Sequence, residues 1–321
     1  MVTVGALLVL LACAGCAATP ATSGAPGGPG NPPAVAPVLP STPQPAADAP
    51  PTSAPTSTPA SAPGTTVDRV VDAAGVQQWV RCAGAGPVTV VVVTGLNASA
   101  GAWSDVSPAM QRITRTCVYD RPGLGRSPAR PQAGQVVDAG LYAHELAALL
   151  AAVGEVGPFV VVGHSFGGLI ARAFVHLYPR HVRALLLVES VTPNDPTTDP
   201  FWEEAGHKVD MAASSAATGD GPPLGHLPLL VLSASDPEED HLGGPTYGQP
   251  EELVDLWREQ QRDDLELSTD AIQVVAHSGH VVQQDNPAAV VDAVRQLVAA
   301  VTSGRPLRCT PGWSADAATC R

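Results

Sequence analysis

From Val67 onward the chain alternates short apolar blocks with stretches of helical periodicity. The blocks read VTVVVVT at 88–94, FVVVG at 159–163, ALLLV at 184–188, LLVLS at 229–233 and IQVVA at 272–276. They are short, rich in β-branched and aliphatic residues, and almost free of polar alternation. That pattern predicts strands buried on both faces, as in a parallel sheet. Residues 67–82 read as two further strands around Ala73-Ala74-Gly75, and CVYD at 117–120 as another. Helices are predicted from about Trp103, over Val136–Val153, from Phe166 to about Tyr178, near 250–265, and from Pro287. Asn286 suits the N-cap of the last helix and Pro287 its first position. Strands alternating with helices predict an α/β domain with a mostly parallel, doubly wound sheet. Residues 190–226 follow neither period and are expected to form an irregular insertion.

Composition divides the chain. Residues 17–65 are almost all Ala, Pro, Ser, Thr and Gly. Such a segment cannot bury enough apolar surface to offset its ordering entropy, so it is expected to be a disordered linker. The folded domain is expected over 66–303, followed by a tail over 304–321. Of the 17 basic residues one is a lysine, Lys208, and the net charge is −13. With no basic cluster, nucleic-acid binding has no electrostatic support. Ahead of the linker, the apolar run Val4–Ala12 is too short to span a bilayer but suits a signal peptide. It ends in small residues around Cys13 and Cys16 and is similar to a bacterial lipobox, although no Lys or Arg precedes it. The expectation is an exported, cell-envelope protein lipid-anchored at Cys16, or in the competing frame at Cys13, and otherwise without contact to membranes. Cys82, Cys117, Cys309 and Cys320 remain, an even number that suggests disulfides. Three pairings are open. Cys309 and Cys320 are close enough in sequence for a local staple.

The most specific signal is Gly163-His164-Ser165-Phe166-Gly167, between a predicted strand and a predicted helix. A GxSxG motif in that setting puts a serine hydroxyl on a strained turn at the end of the sheet, beside the positive end of a helix. Thr94-Gly95-Leu96 follows a buried strand, and Asp120-Arg121-Pro122-Gly123-Leu124-Gly125-Arg126-Ser127 follows another. With these segments the chain from about 67 to 301 resembles the α/β-hydrolase superfamily. The first is similar to that family's HGx segment, with Thr94 in place of the usual His; the second resembles its DxxGxGxS loop. The resemblance implies the α/β-hydrolase fold, with residues 190–226 as a short lid, and an oxyanion hole from the N–H groups of Leu96 and Phe166. It also makes the second and fourth strands neighbours, so a cross-strand Cys82–Cys117 disulfide is reasonable.

A serine hydroxyl needs a base to remove its proton. The resemblance implies the order Ser, acid, His, with the His after the last strand. His280 fits, seven residues before Pro287, and His277 is its close competitor. For the acid, Asp236 follows LLVLSAS and is the first candidate. Glu189, one strand earlier, is the second; Asp240 and Asp285 are lesser options. The other histidines, including His164, read as packing or surface residues. The expected reaction is hydrolysis of a small-molecule carboxylic ester, or an amide, through an acyl-enzyme on Ser165, Asp236 and His280. No cofactor or metal is expected, because beyond the leader there is no HxE or CxxC spacing, and no GxGxxG follows a strand. Phe201, Trp202 and Met211 are candidates for an apolar lid underside. Acyl transfer or cofactor-free peroxidase-type chemistry on the same residues, and a catalytically silent binding protein, are the alternatives. Ser165 excludes the branches that need a carboxylate at the elbow. Oligomeric state, acyl-chain preference and leaving group are not legible.

Overall fold

A computed structural model describes residues 64–193, 199–219, 224–236, 251–309 and 317–320. The expected leader, and the expected linker up to residue 63, lie outside the described residues. In chain order the strands and helices are β1 (Val67–Ala73), β2 (Val76–Ala83), β3 (Thr89–Val93), α1 (Ser107–Ile113), β4 (Arg115–Tyr119), α2 (Ala139–Ala152), β5 (Phe159–His164), α3 (Phe166–Leu177), β6 (Val182–Val188), β7 (Phe201–Glu204), β8 (His207–Asp210), α4 (Met211–Ala217), β9 (Leu229–Ala234), α5 (Glu251–Asp263), β10 (Ala271–Ala276), α6 (Val282–Asp285), α7 (Pro287–Ser303) and β11 (Ala317–Cys320).

Among the described residues nine strands form one sheet in the order β1-β2-β4-β3-β5-β6-β9-β10-β11. From β4 to β10 every neighbouring pair is parallel. β1, β2 and β11 join antiparallel. The apolar runs are explained by burial on both faces. In β3, Val91 and Val93 pack with Leu146 and Leu149 of α2 and Phe174 of α3. Val90 and Val92 pack on the other face with Met110 of α1 and Val290, Val294 and Leu297 of α7. Both helix layers are therefore held by one strand's alternating side chains. Asn286 caps α7 as expected, its side chain accepting from the Ala289 N–H at 3.1 Å, and Pro287 occupies the first turn.

Two sequence expectations change. The insertion is not irregular where described: β7 and β8 form a hairpin, followed by α4. Their two-residue turn, Ala205-Gly206, has positive φ at both positions (50° and 79°), the backbone that tight hairpins require. The tail is more than a stapled end, since β11 pairs with β10 as the outermost strand.

β2 and β4 set Cys82 opposite Cys117. The two are joined by a disulfide, with their Cα atoms 4.0 Å apart and a sequence separation of 35. Cys309 is also disulfide-bonded; the side chain of its expected partner, Cys320, lies outside the described residues. A buried cross-link closing a loop of that length constrains the unfolded chain by roughly 3–4 kcal/mol. Urea unfolding of the double variant Cys82→Ala/Cys117→Ala should show a stability loss of about that size.

Candidate active site

The carboxyl ends of β5 and β6 lie side by side and build the centre of the site. Ser165 follows β5 with φ 53° and ψ −127°. Glu189 follows β6 with φ 42°. Left-handed backbone at residues with a Cβ costs about 1–3 kcal/mol each and is held by surrounding bonds. Those bonds are present. The Ser165 N–H donates to the Val188 carbonyl at 3.1 Å, the Glu189 N–H to that of Leu232 at 2.9 Å, and the Val191 N–H to that of Ser165 at 3.1 Å. The glycines around Ser165 serve close approach. A Cβ on Gly163 would fall 2.6 Å from the Gly167 carbonyl oxygen, and one on Gly167 would fall 2.3 Å from that of Val93. Phe166 begins α3, so its N–H is one of the helix's first-turn donors, which have no acceptor within the helix.

His280 lies in the loop after β10, half-buried, with its Nδ1 3.5 Å from Glu189 Oε2. Glu189 is buried. Its Oε1 accepts from the Ala234 N–H at 2.6 Å and its Oε2 from Trp257 Nε1 at 2.8 Å. The Trp257 ring also meets the imidazole of His280, centroids 5.9 Å apart. The structure thus brings Glu189 to His280. Asp236, the first sequence candidate, is exposed, and its backbone N–H donates to the Ser278 carbonyl. The physical difference is the backbone: the left-handed turn at Glu189 redirects its side chain at the strand end, whereas Asp236 lies two residues beyond β9. His277, the competitor for the base, is exposed. Asp285 accepts the Gly279 N–H at 3.0 Å and so steadies the loop that carries His280. Asp240 lies outside the described residues.

His164 is more than packing. Its Nε2 lies 2.9 Å from the His280 carbonyl oxygen, which can only accept, so Nε2 carries the proton. The rings of His164 and His280 are 5.0 Å apart. Burial, reinforced by the charge of a protonated His280, pushes the His164 pKa down to about 3. His164 is therefore a neutral post under the His280 loop.

Beside the elbow, Gly95 comes so close to it that an added Cβ would fall 3.0 Å from His164 Nδ1 and 3.3 Å from Ser165 Cβ. Leu96 is half-buried. Thr94, in place of the family's His, bonds within its loop, its hydroxyl donating to the Ala98 carbonyl at 2.7 Å. Behind this loop, Asp120 accepts from the Ala100 N–H at 2.6 Å and the Arg126 N–H at 2.8 Å. Arg121 is buried and ion-paired to Glu204 of β7. Burial opposes charge on Glu204, but Arg121 and the hydrogen bonds of Arg121, Tyr142 and Asn97 outweigh it and hold the carboxyl below its usual range. Of the three proposed lid residues, Trp202 meets the elbow, edge-on to Phe166 at 6.1 Å. Met211 is buried in the core and Phe201 is half exposed. One cluster among the described residues gathers three ligand-type side chains, Cys82, Cys117 and Glu155. Its sulfurs are bonded to each other and its carboxylate to Arg115, so it offers no free ligand.

This architecture, with a serine elbow after β5 and a histidine loop after β10, is the α/β-hydrolase fold. Residues 88–224 match the family model described as alpha/beta hydrolase fold. Lipase LipV of Mycobacterium tuberculosis is 37% identical over 111 residues, 34% of this chain and 40% of that protein. The 2-hydroxy-6-oxo-2,4-heptadienoate hydrolase of Pseudomonas putida is 34% identical over 135 residues, 41% of this chain and 48% of that protein. The chain therefore spans less than half the length of either curated relative. A thermophilic esterase from Thermogutta terrifontis superposes with a TM-score of 0.53 at 20% identity, over 74% of this chain and 99% of that one. Family model and solved structure agree on the α/β-hydrolase fold.

His164 carries a pH consequence. Its folded pKa lies below the ordinary 6.5, so the unfolded chain takes up a proton there first and stability is lost as pH falls from 6.5 towards about 3. His164→Gln should remove this contribution, and urea unfolding across that range should show a shallower loss for the variant than for the wild type.

Proposed function

We propose that the protein is a serine hydrolase that cleaves carboxylic esters through an acyl-enzyme, with Ser165, His280 and Glu189 as its catalytic residues. The observation that carries this reading is the buried Glu189 carboxylate facing His280 Nδ1 at 3.5 Å, at the strand end beside the Ser165 elbow. Catalytic hydrogen bonds are often long before substrate binds.

In the proposed cycle Ser165 Oγ attacks the ester carbonyl carbon and gives its proton to His280 Nε2. Glu189 keeps the Nδ1–H tautomer in place and stabilises the imidazolium. The oxyanion takes hydrogen bonds from the Leu96 and Phe166 N–H groups, each worth about 3 kcal/mol to the transition state. His280 protonates the departing alkoxide as the C–O bond breaks. Water then attacks the acyl-enzyme, His280 accepts its proton, and Ser165 leaves with its hydroxyl restored.

A fluorophosphonate probe should label the wild type at Ser165 and leave Ser165→Ala unlabelled. On p-nitrophenyl esters, Glu189→Gln should lower kcat by on the order of 10³–10⁴-fold, with Asp236→Asn within about 3-fold of wild type. The reverse pattern would return the role to Asp236. Export with a lipid anchor at Cys16 is proposed alongside. Metabolic labelling with an alkyne fatty acid should mark the wild type but not Cys16→Ser; loss in Cys13→Ser instead would move the anchor.

A further inference from the structure

The hairpin β7–β8 ends on a carboxylate that reaches into the loop bearing the expected oxyanion donor. Arg121 has five N–H bonds, and each has an acceptor. Nε donates to Glu204 Oε2 at 2.9 Å. One terminal nitrogen donates to the Thr94 carbonyl at 2.7 Å and to the Thr94 hydroxyl at 3.2 Å. The other donates to the Gly95 carbonyl at 2.6 Å and to Glu204 Oε1 at 2.6 Å. The same Oε1 accepts the Asn97 N–H at 2.9 Å.

The consequence lies in the peptide between Gly95 and Leu96. A trans peptide is planar, with its C=O and N–H pointing in opposite directions. Holding the Gly95 oxygen on Arg121 therefore turns the Leu96 N–H away from Arg121, while Gly95 itself rests against Ser165. The guanidinium also lies 5.9 Å from the ring centre of Phe166, the residue of the second expected donor.

Asn97 fixes the other end of the contact. It holds φ 53°. Its side chain donates to the Glu203 carbonyl at 2.8 Å and accepts from the Ala205 N–H at 3.3 Å. Gly123 makes room for the turn, since a Cβ there would fall 2.7 Å from that of Ala205. Arg121 and Glu204 are almost fully buried, with side chains 1% and 0% exposed. Removing either charge leaves the other unpaired away from water.

We propose that Glu204 and Arg121 are positioning residues: seating the β7–β8 hairpin presents the Leu96 N–H as an oxyanion donor, so hairpin position and catalytic competence are coupled. The coupling rests on the hydrolase reading above. A hairpin lifted from the body would take Glu204 with it and release Arg121 from the Gly95 carbonyl.

The test uses the full chain and three variants, Glu204→Gln, Arg121→Lys and Asn97→Gly, the last keeping the left-handed backbone while removing both side-chain ties. Three quantities are measured: kcat and KM on p-nitrophenyl acetate per fluorophosphonate-titrated site, the fluorophosphonate labelling rate, and amide hydrogen exchange over residues 94–98. For Glu204→Gln and Arg121→Lys the expected result is a 10- to 100-fold fall in kcat and in labelling rate, with KM within 3-fold and faster exchange over 94–98. Asn97→Gly should show the same signature at 3- to 10-fold, and it decides the matter if the buried variants do not fold. Unchanged kcat per titrated site with unchanged exchange would overturn the coupling and leave the pair a purely structural tie. If the wild type takes no fluorophosphonate, the hydrolase reading fails on its own. Exchange over 94–98 then still decides whether the hairpin holds this loop: faster exchange in the variants supports it, and no change overturns it.

Discussion

Two left-handed residues on neighbouring parallel strands hold the site together. Ser165 and Glu189 both resist the backbone they adopt, and each is kept there by the strand beside it. Val188, the last residue of β6, accepts the Ser165 N–H; Leu232 of β9 accepts that of Glu189. The register of β5, β6 and β9 therefore sets where the Ser165 hydroxyl and the Glu189 carboxylate stand. A slip of one residue would turn each strand's side chains to the opposite face and separate both groups from His280. The valine and leucine layers that fix this register thus position the candidate site from a distance.

Much of this was legible in the chain. Apolar runs of five to seven residues marked the parallel strands, and the GxSxG turn marked Ser165, because each feature is dictated locally. The glycines at 163 and 167 are there for backbone contacts that no side chain tolerates. The alternative acids show where local reading stops. Asp236 and Glu189 both follow strands, and those strands are adjacent in the sheet. Nothing in their flanking residues says that Glu189 takes a left-handed turn and Asp236 remains exposed.

The hairpin was harder to read for a different reason. Its strands are four residues each, and its turn is Ala-Gly, a weaker signal than Asn-Gly or Asp-Gly. Glu204 looked like one acidic residue among 30 Asp and Glu. Its meaning comes from Arg121, 83 positions away. His164 was read as filler for a similar reason, since its partner is a backbone carbonyl 116 residues further on. Contacts at such separations leave no periodicity.

The sheet also has two different edges. β1 is largely exposed and carries Asp68, Arg69 and Asp72, charges that discourage another chain from pairing alongside. At the opposite side β10 is apolar and continues the parallel run, and β11 covers it in antiparallel register. The short segment over 317–320 thus acts as a selvedge, occupying donors and acceptors that an uncovered β10 would offer to a neighbour. Its disposition bears on what this edge of the sheet offers to any other chain, a matter separate from the chemistry proposed at Ser165.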